Sequence, residues 1–320
     1  MWQYREVLQI DCIEESRRIS DFILQQVVEM KRDGAIIGLS GGIDSALSAT
    51  LCVNALGKER VLGVHLPEKE SSPLSTEYSL LHARKIDLKT KTVDITSVLE
   101  GLGTYSKRDA AIKLNIPEYD HTYRSKIVLP EDLLLKDTFN FFRLVYDDGS
   151  GNTKSKRLDS RSLRAIVAAT NMKHRMRMLH LYYFAEKNNY IVCGTTNKNE
   201  YIQGFFVKYG DGGVDIEPIM HLYKTQIKLL TRHLGVINEI IERKPSPDTF
   251  SLTVSDEEMH FRIPWEILDP LLYAWENQVD IEEVCASMNL TRKQVERVFR
   301  DFSSKYKATE YLRKQPSIMI

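Results

Sequence analysis

"IIGLSGGIDSALSATLC", residues 36–52, decides the reading of the fold. An apolar run stops at a cluster of Ser40, Gly41, Gly42 and Ser45, one carboxylate (Asp44) stands among them, and an apolar pattern of helical spacing resumes at once. A strand that ends in bare backbone and turns directly into a helix points free N–H groups and the helix dipole at one spot, and glycine lets an anion approach them. Each dipole contact contributes only about 0.3–1 kcal/mol when exposed and up to about 2 kcal/mol when partly buried, so several must converge. The spacing is neither G-x-x-x-x-G-K-[ST] nor G-x-G-x-x-G. Taken alone, "SGG" also fits a tight turn that binds nothing.

Working outward, "AIIGL" (35–39), "VLGVHL" (61–66), "KTVDI" (91–95) and "YIVCGT" (190–195) read as short strands. They are continuous in apolarity, as strands covered on both faces tend to be. Helical patterns at 44–56, 75–86 and 162–188 lie between them. The fold class that follows is α/β, a Rossmann-like parallel sheet flanked by helices. Residues 1–33 read as helix, with Ile13, Ile19, Ile23, Val27 and Val28 at helical spacing and "RDG" as its stop. From about 99 to 160 the chain is too long for a simple connection and predicts an inserted subelement, partly mobile around 147–157. Beyond 245 the pattern is helical, at 264–276, 280–288 and 291–303. The expected organisation is one domain over 1–250 carrying the insertion, with 251–320 a helical extension packed on it.

The 320 residues balance 44 Lys and Arg against 44 Asp and Glu, so no overall field favours nucleic acid or an anionic membrane. No stretch approaches the length of a membrane span, and charges interrupt the window where a secretory signal would need an apolar run. Cys12, Cys52, Cys193 and Cys285 form no C-x-x-C pair and predict reduced, mostly packed thiols in a cytoplasmic protein.

Three blocks in order carry a specific resemblance. "LSGGIDSAL" resembles the S-G-G-x-D-S pyrophosphate loop of the ATP pyrophosphatases, of the adenine nucleotide α-hydrolase-like superfamily. "NMKHRMRM" (171–178) and "CGTTNKNEYIQGFFVKYGDGGVDIEPIMHLYKTQIKLLTRHLGV" (193–236) are similar to segments of the ammonia-dependent NAD synthetase family. The resemblance implies an AMP-forming carbon–nitrogen ligase. A carboxylate, deamido-NAD in the first place, attacks the α-phosphorus of ATP, pyrophosphate leaves, and ammonia displaces AMP. Such a site must hold the departing pyrophosphate, neutralise its charge and align the attack.

By the same resemblance Ser40, Gly41, Gly42 and Ser45 cradle the pyrophosphate, with Thr195, Lys224 and Ser246 also at ATP. Asp44 and Glu200 hold Mg²⁺, a hard ion suited to one or two carboxylates plus phosphates. Asp44, Lys224 and Thr195 are the catalytic candidates, and Arg175, Lys208, Asp211, Asp215 and Arg313 the acceptor-binding ones. The family's long helix implies a homodimer. No glutaminase domain fits in the 33 residues before the first strand, so ammonia is free or comes from a separate glutaminase.

Three departures bear on the acceptor: the 99–160 insert, "MHF" (259–261) where the family has E-L-G, and "YLRKQPS", with Tyr311 and Leu312 in place of a His–Lys pair. A relative that amidates a different carboxylate, or a nucleotide binder without turnover, would share the loop. An RNA-thiolating enzyme would need paired reactive cysteines and a basic surface. Residues 280–301 also resemble a helix-turn-helix, although the neutral charge favours packing.

Overall fold

A computed structural model describes residues 3–130, 132–136 and 140–319. Residues 1–2, 131, 137–139 and 320 of the segments predicted above lie outside the described residues. The described strands are β1 (Gly34–Gly38), β2 (Val61–His65), β3 (Lys89–Thr92), β4 (Arg124–Val128), β5 (Arg143–Asp147), β6 (Thr153–Arg157) and β7 (Tyr190–Cys193). They form a parallel sheet in the order β3-β2-β1-β7 and an antiparallel one in the order β4-β5-β6. In the parallel sheet the chain runs β1 to β2 to β3 in one direction and returns to place β7 on the other side of β1. The crossovers therefore diverge at the carboxyl ends of β1 and β7, the switch point at which open α/β sheets bind ligands.

Helices α1 (Cys12–Glu29), α2 (Ile43–Leu56) and α3 (Pro73–Lys85) surround the first strands. Asp11 caps α1 by accepting from the N–H groups of Ile13 and Glu14, so the helix starts there and residues 4–8 form turns. This corrects the expectation of helix from residue 1. Ile19, Ile23 and Val27 are buried, whereas Ile13 and Val28 are exposed. The sheet is apolar at β1 and β2, but β3 is an edge strand of sequence KTKT, displaced from the expected 91–95. Its register, Leu62 opposite Lys89 through His65 opposite Thr92, puts lysines on the edge, where they discourage pairing with other chains. The buried Ile95 lies beyond it.

The connection from β3 holds α4 (Thr96–Gly101), α5 (Thr104–Lys113) and the β4-β5-β6 sheet, then α6 (Ser160–Asn188) leads to β7. Residues 147–157, expected to be partly mobile, form the β5-β6 turn and strand β6. Their alternation of turn formers with lysines conceals a strand whose side chains are all exposed. After β7 come α7 (Lys198–Gln203), α8 (Lys224–His233), α9 (Asn238–Ile241), α10 (Trp265–Glu276), α11 (Ile281–Met288), α12 (Arg292–Ala308) and α13 (Glu310–Arg313).

Two cores position the site. One packs α1, α2, α8 and α9 on the sheet through Ile23, Ile37, Leu47, Ile227 and Leu230. The other joins α10, α11 and α12 through Leu268, Leu272, Val284, Val298 and Phe302, and takes in Ile202 and Tyr223 from the elements after β7. The apolar face of residues 280–301 is thus spent on packing. All four cysteines are free thiols; Cys52 and Cys193 are buried with their sulfurs 3.5 Å apart.

Candidate active site

The stretch 38–45 leaves β1 and enters α2 through a loop that is tied to itself. Ser40 Oγ and Ser45 Oγ lie 3.0 Å apart, Gly42 N donates to Ser40 Oγ at 3.2 Å, and Ser45 Oγ donates to the Gly42 carbonyl at 3.0 Å. Gly41 has φ +76°, and a Cβ there would stand 2.2 Å from the Ser75 carbonyl oxygen. No other residue fits between the loop and α3. Gly42 is the N-cap of α2, which leaves its first N–H groups without side-chain acceptors and puts Asp44 in its first turn.

Opposite the loop, Lys224 opens α8. Asp269 of α10 accepts from Thr225 N at 2.7 Å and from Asn199 Nδ2 at 2.6 Å, while Asn199 Oδ1 accepts from Lys224 N at 3.1 Å. This buried scaffold aims the lysine inward, and its Nζ meets Asp44 Oδ2 at 2.5 Å. Burial works against the charge, but Asp44, Glu200 and Asp256 together hold the Lys224 ammonium above the ordinary lysine range. Asn197 and Glu200 form a capping box on α7, and Asn197 Nδ2 donates to Asp44 Oδ1 at 3.1 Å, so one amide joins both carboxylate residues.

Three acids thus crowd one ammonium. Burial and the neighbouring Asp44 push the Glu200 carboxyl well above the carboxylate range. Burial pushes Asp256 up to about 6, against the pull of Lys224, and its Oδ1 has no hydrogen-bond partner. Such a surplus of buried negative charge is costly unless a cation shares it. The donor set, carboxylate oxygens beside an anion loop, fits Mg²⁺ bound jointly with phosphates. Among the described residues no three His, Cys, Asp or Glu side chains form a metal cage by themselves.

These groups line a cavity of about 670 Å³ at the switch point, within the range of small-molecule sites. Ser40, Gly42, Asp44, Ser45, Thr195, Glu200, Lys224, Ser246, Arg175, Lys208 and Asp211 all reach it. Gly41 supports the loop from behind. Lys208 Nζ donates to the carbonyls of Tyr311 and Lys314, which draws the C-terminal segment to the mouth, and Tyr311 and Leu312 line the wall. Asp211 Oδ1 accepts from Val207 N at 3.0 Å and lies 3.4 Å from His174 Nδ1.

Two of the expected acceptor residues face elsewhere. Asp215 Oδ2 accepts from Val192 N at 2.7 Å and Oδ1 accepts from Tyr182 OH at 3.0 Å, so its carboxylate continues the hydrogen bonding of the outer strand β7. Arg313 donates to the carbonyls of Tyr201, Ile202 and Tyr306, closing the ends of α7 and α12, and its guanidinium sits 4.2 Å from the Tyr306 ring centre. Neither is on the cavity wall.

The fold also delivers residues outside the candidate set, among them Asp248, which the sequence marks only as a neighbour of Ser246 in "KPSPDTF" (244–250). Arg243 donates to Ser75 Oγ at 2.9 Å and to the Gly41 carbonyl at 3.5 Å, and Arg177 donates to the Leu66 carbonyl at 3.2 Å. Burial lowers the Arg177 guanidinium from its usual value. Asp248 accepts from Ser72 N and from Ser75 Oγ, the latter at 2.7 Å. Glu217 accepts from Thr196 N and Oγ at 3.0 and 2.8 Å, and a Cβ on Gly194 would lie 2.3 Å from its Oε2. Asp256 had one visible signal, its place in the "SDEE" block. Arg177 and Glu217 lie inside the 171–178 and 193–236 blocks and Asp248 in "KPSPDTF" (244–250), but nothing in the sequence says which side chains of those blocks face the cavity.

The parallel sheet with its switch-point cavity and loop defines an α/β fold of the adenine nucleotide α-hydrolase-like type. More specifically, the NAD synthase family model matches residues 15–121 and 150–316, and the chain belongs to that family. The NH3-dependent NAD+ synthetase of Mesorhizobium japonicum is 39% identical over 98% of this chain and 98% of its own length. That of Thermotoga maritima is 34% identical over 89% of this chain and 94% of its own. The solved NH3-dependent NAD synthetase of Campylobacter jejuni superposes with a TM-score of 0.65 at 24% identity, covering 98% of this chain and all (100%) of that one. The NMN synthetase of Francisella tularensis shares the fold with a TM-score of 0.65 at 21% identity, covering 97% of this chain and 99% of that one.

Proposed function

We propose that the protein is an ATP-dependent carbon–nitrogen ligase that amidates deamido-NAD to NAD with ammonia. The observation that carries this reading is the buried Lys224–Asp44 pair at the glycine loop, in a chain that aligns end to end with NH3-dependent NAD+ synthetases. The loop N–H groups of α2 receive the β- and γ-phosphates, and the Lys224 ammonium faces the charge that grows as pyrophosphate leaves. Arg243 and Ser246 add cationic and hydroxyl contacts from the far wall. The acceptor carboxylate attacks the α-phosphorus, the α–β bridging bond breaks, and an acyl adenylate forms. Ammonia then attacks the acyl carbon, AMP leaves with the bonding pair, and a proton is lost from nitrogen to give the amide.

Asp44 and Glu200 would hold Mg²⁺, which supplies charge neutralisation to the phosphates when bound. Thr195, two residues beyond β7, lies beside the ATP phosphates, while Arg175, Lys208 and Asp211 serve the acceptor. On α6 the exposed Leu179 and Tyr183, 60% and 56% accessible, support pairing of two copies along this helix. No described helix is long and apolar enough to cross a membrane, and we place the enzyme in the cytoplasm.

The test is release of AMP and pyrophosphate from ATP, Mg²⁺ and ammonium, with and without deamido-NAD, while NAD is followed in parallel. Stoichiometric NAD, AMP and pyrophosphate are expected. ADP as product would overturn the reaction class; AMP formed only with another carboxylate would reassign the acceptor.

A further inference from the structure

Residues 242–255 have no regular secondary structure but form a wall of the cavity, presenting Arg243, Lys244, Ser246 and Thr249. Irregular connections longer than about 12–15 residues are uncommon in compact domains unless they are functional. A strap of this kind must be ordered before it can hold a ligand, and whatever does not order it beforehand is subtracted from binding.

In this chain the strap is fastened along its length by groups of α3, α6 and the β4 hairpin. At its first half, Asp248 grips Ser72 and Ser75, and the buried Lys173 of α6 donates to the Thr249 carbonyl at 2.9 Å. Its second half is held by β4. Leu252 N donates to the Ser125 carbonyl at 3.2 Å, and Ser125 N donates to Ser251 Oγ at 2.9 Å. Just beyond the strap, Leu129 N donates to the Glu258 carbonyl at 2.9 Å. Lys126 of β4 makes the charged link: its Nζ donates to the Thr253 carbonyl at 3.1 Å and to Glu258 at 2.9 Å. The same Glu258 carboxylate accepts from Ser255 N and Oγ at 2.9 and 3.1 Å. Ser255 is the residue before Asp256, whose carboxyl is buried against Lys224.

The hairpin that supplies β4 and β5 falls in the stretch between residues 121 and 150 that the family model does not span. We propose that this hairpin is a built-in brace that preorganises the 242–255 strap on the ATP side of the cavity, with Lys126 as the positioning residue. The proposal rests on the reading of the cavity as an ATP site. Lys126 touches no substrate; it acts through Glu258 and Ser255. Its side chain is 17% exposed and that of Glu258 31%, so the pair can be broken without opening a core.

The experiment is ATP affinity by calorimetry, which needs no acceptor, together with steady-state kinetics on the full chain. Lys126→Ala is expected to weaken ATP binding and raise KM for ATP roughly tenfold, the usual scale for one charge-assisted hydrogen-bond link. KM for deamido-NAD and kcat at saturating ATP should stay near wild type. Lys126→Arg should restore affinity, and Glu258→Gln should reproduce the loss without adding to it in the double variant. Unchanged ATP affinity in Lys126→Ala, failure of arginine to rescue, or a shift confined to deamido-NAD would each overturn the brace. Wild-type enzyme that binds ATP but makes no NAD would instead overturn the acceptor reading and leave the brace to be decided by calorimetry.

Discussion

Replacing Lys224 with Met and, separately, Asp44 with Asn should disable the enzyme equally and move its stability in different directions. Both residues are well buried, their side chains 6% and 17% exposed, so the discount for solvent screening is small. Lys224 is the ammonium that Asp44, Glu200 and Asp256 share. Removing it strands buried acids without a cation, a change that typically costs about 3–5 kcal/mol. For a chain of 320 residues, an unfolding entropy of about 2.1 cal/mol/K per residue amounts to about 0.7 kcal/mol/K, so Tm should fall by about 4–8 °C. Asp44→Asn instead removes one of three competing acids and keeps a hydrogen-bonding side chain between Asn197 and Lys224. Its Tm should equal or exceed that of wild type. Pyrophosphate release should fall by about 10²–10³-fold in each, the scale of losing one preorganised electrostatic contact. Calorimetry and a coupled pyrophosphate assay measure both quantities. If Asp44→Asn lost as much stability as Lys224→Met, the pair would be a plain structural salt bridge, and the account of an overcharged site awaiting a cation would be refuted.

Gly41→Ala should lower Tm and abolish pyrophosphate release together, because a Cβ at φ +76° would stand 2.2 Å from the Ser75 carbonyl oxygen; a fully active, stable variant would show that the loop has room to relax. Asp215→Asn and Arg313→Ala should each cost about 0.5–1.5 kcal/mol of stability, the net worth of a typical hydrogen bond, while KM for deamido-NAD holds. A selective rise in that KM would return them to the acceptor site. Glu217 should shape the pH dependence of folding. Burial raises its folded value to about 8 from 4.5, so between these limits the folded state keeps a proton that the unfolded chain has released, and stability falls as pH rises through this window. Glu217→Gln should therefore gain Tm relative to wild type at pH 8 and little near pH 4.5; parallel Tm profiles would contradict the assignment.

The loop of residues 40–45 was legible because its function depends on local backbone: glycine at a positive φ, a helix N-terminus and a preceding buried strand are neighbours in sequence. Lys224, Glu200 and Thr195 were reached by likeness of their surrounding blocks, and the fold brings all three to the same cavity. Strand β3 was misplaced because an edge strand needs no apolar run, and β6 was hidden for the same reason. Asp215 and Arg313 lie off the cavity wall because a charged side chain near a binding block can equally satisfy a strand edge or close helix ends, and only its orientation tells which.

By itself, then, the sequence determined what short-range physics controls: the parallel α/β sheet, the anion-binding turn and the amphipathic helices of the C-terminal part. Tertiary structure decided which charges meet. Asp44, Glu200, Lys224 and Asp256 leave four separate elements, and their shared burial, which sets their protonation and their appetite for a cation, exists only once the two cores have closed around them. The same holds for Lys126, an unremarkable strand lysine until β4 lies beside the strap. Electrostatic coupling depends on distance through space and on the exclusion of water, and neither is written in the spacing of residues along the chain.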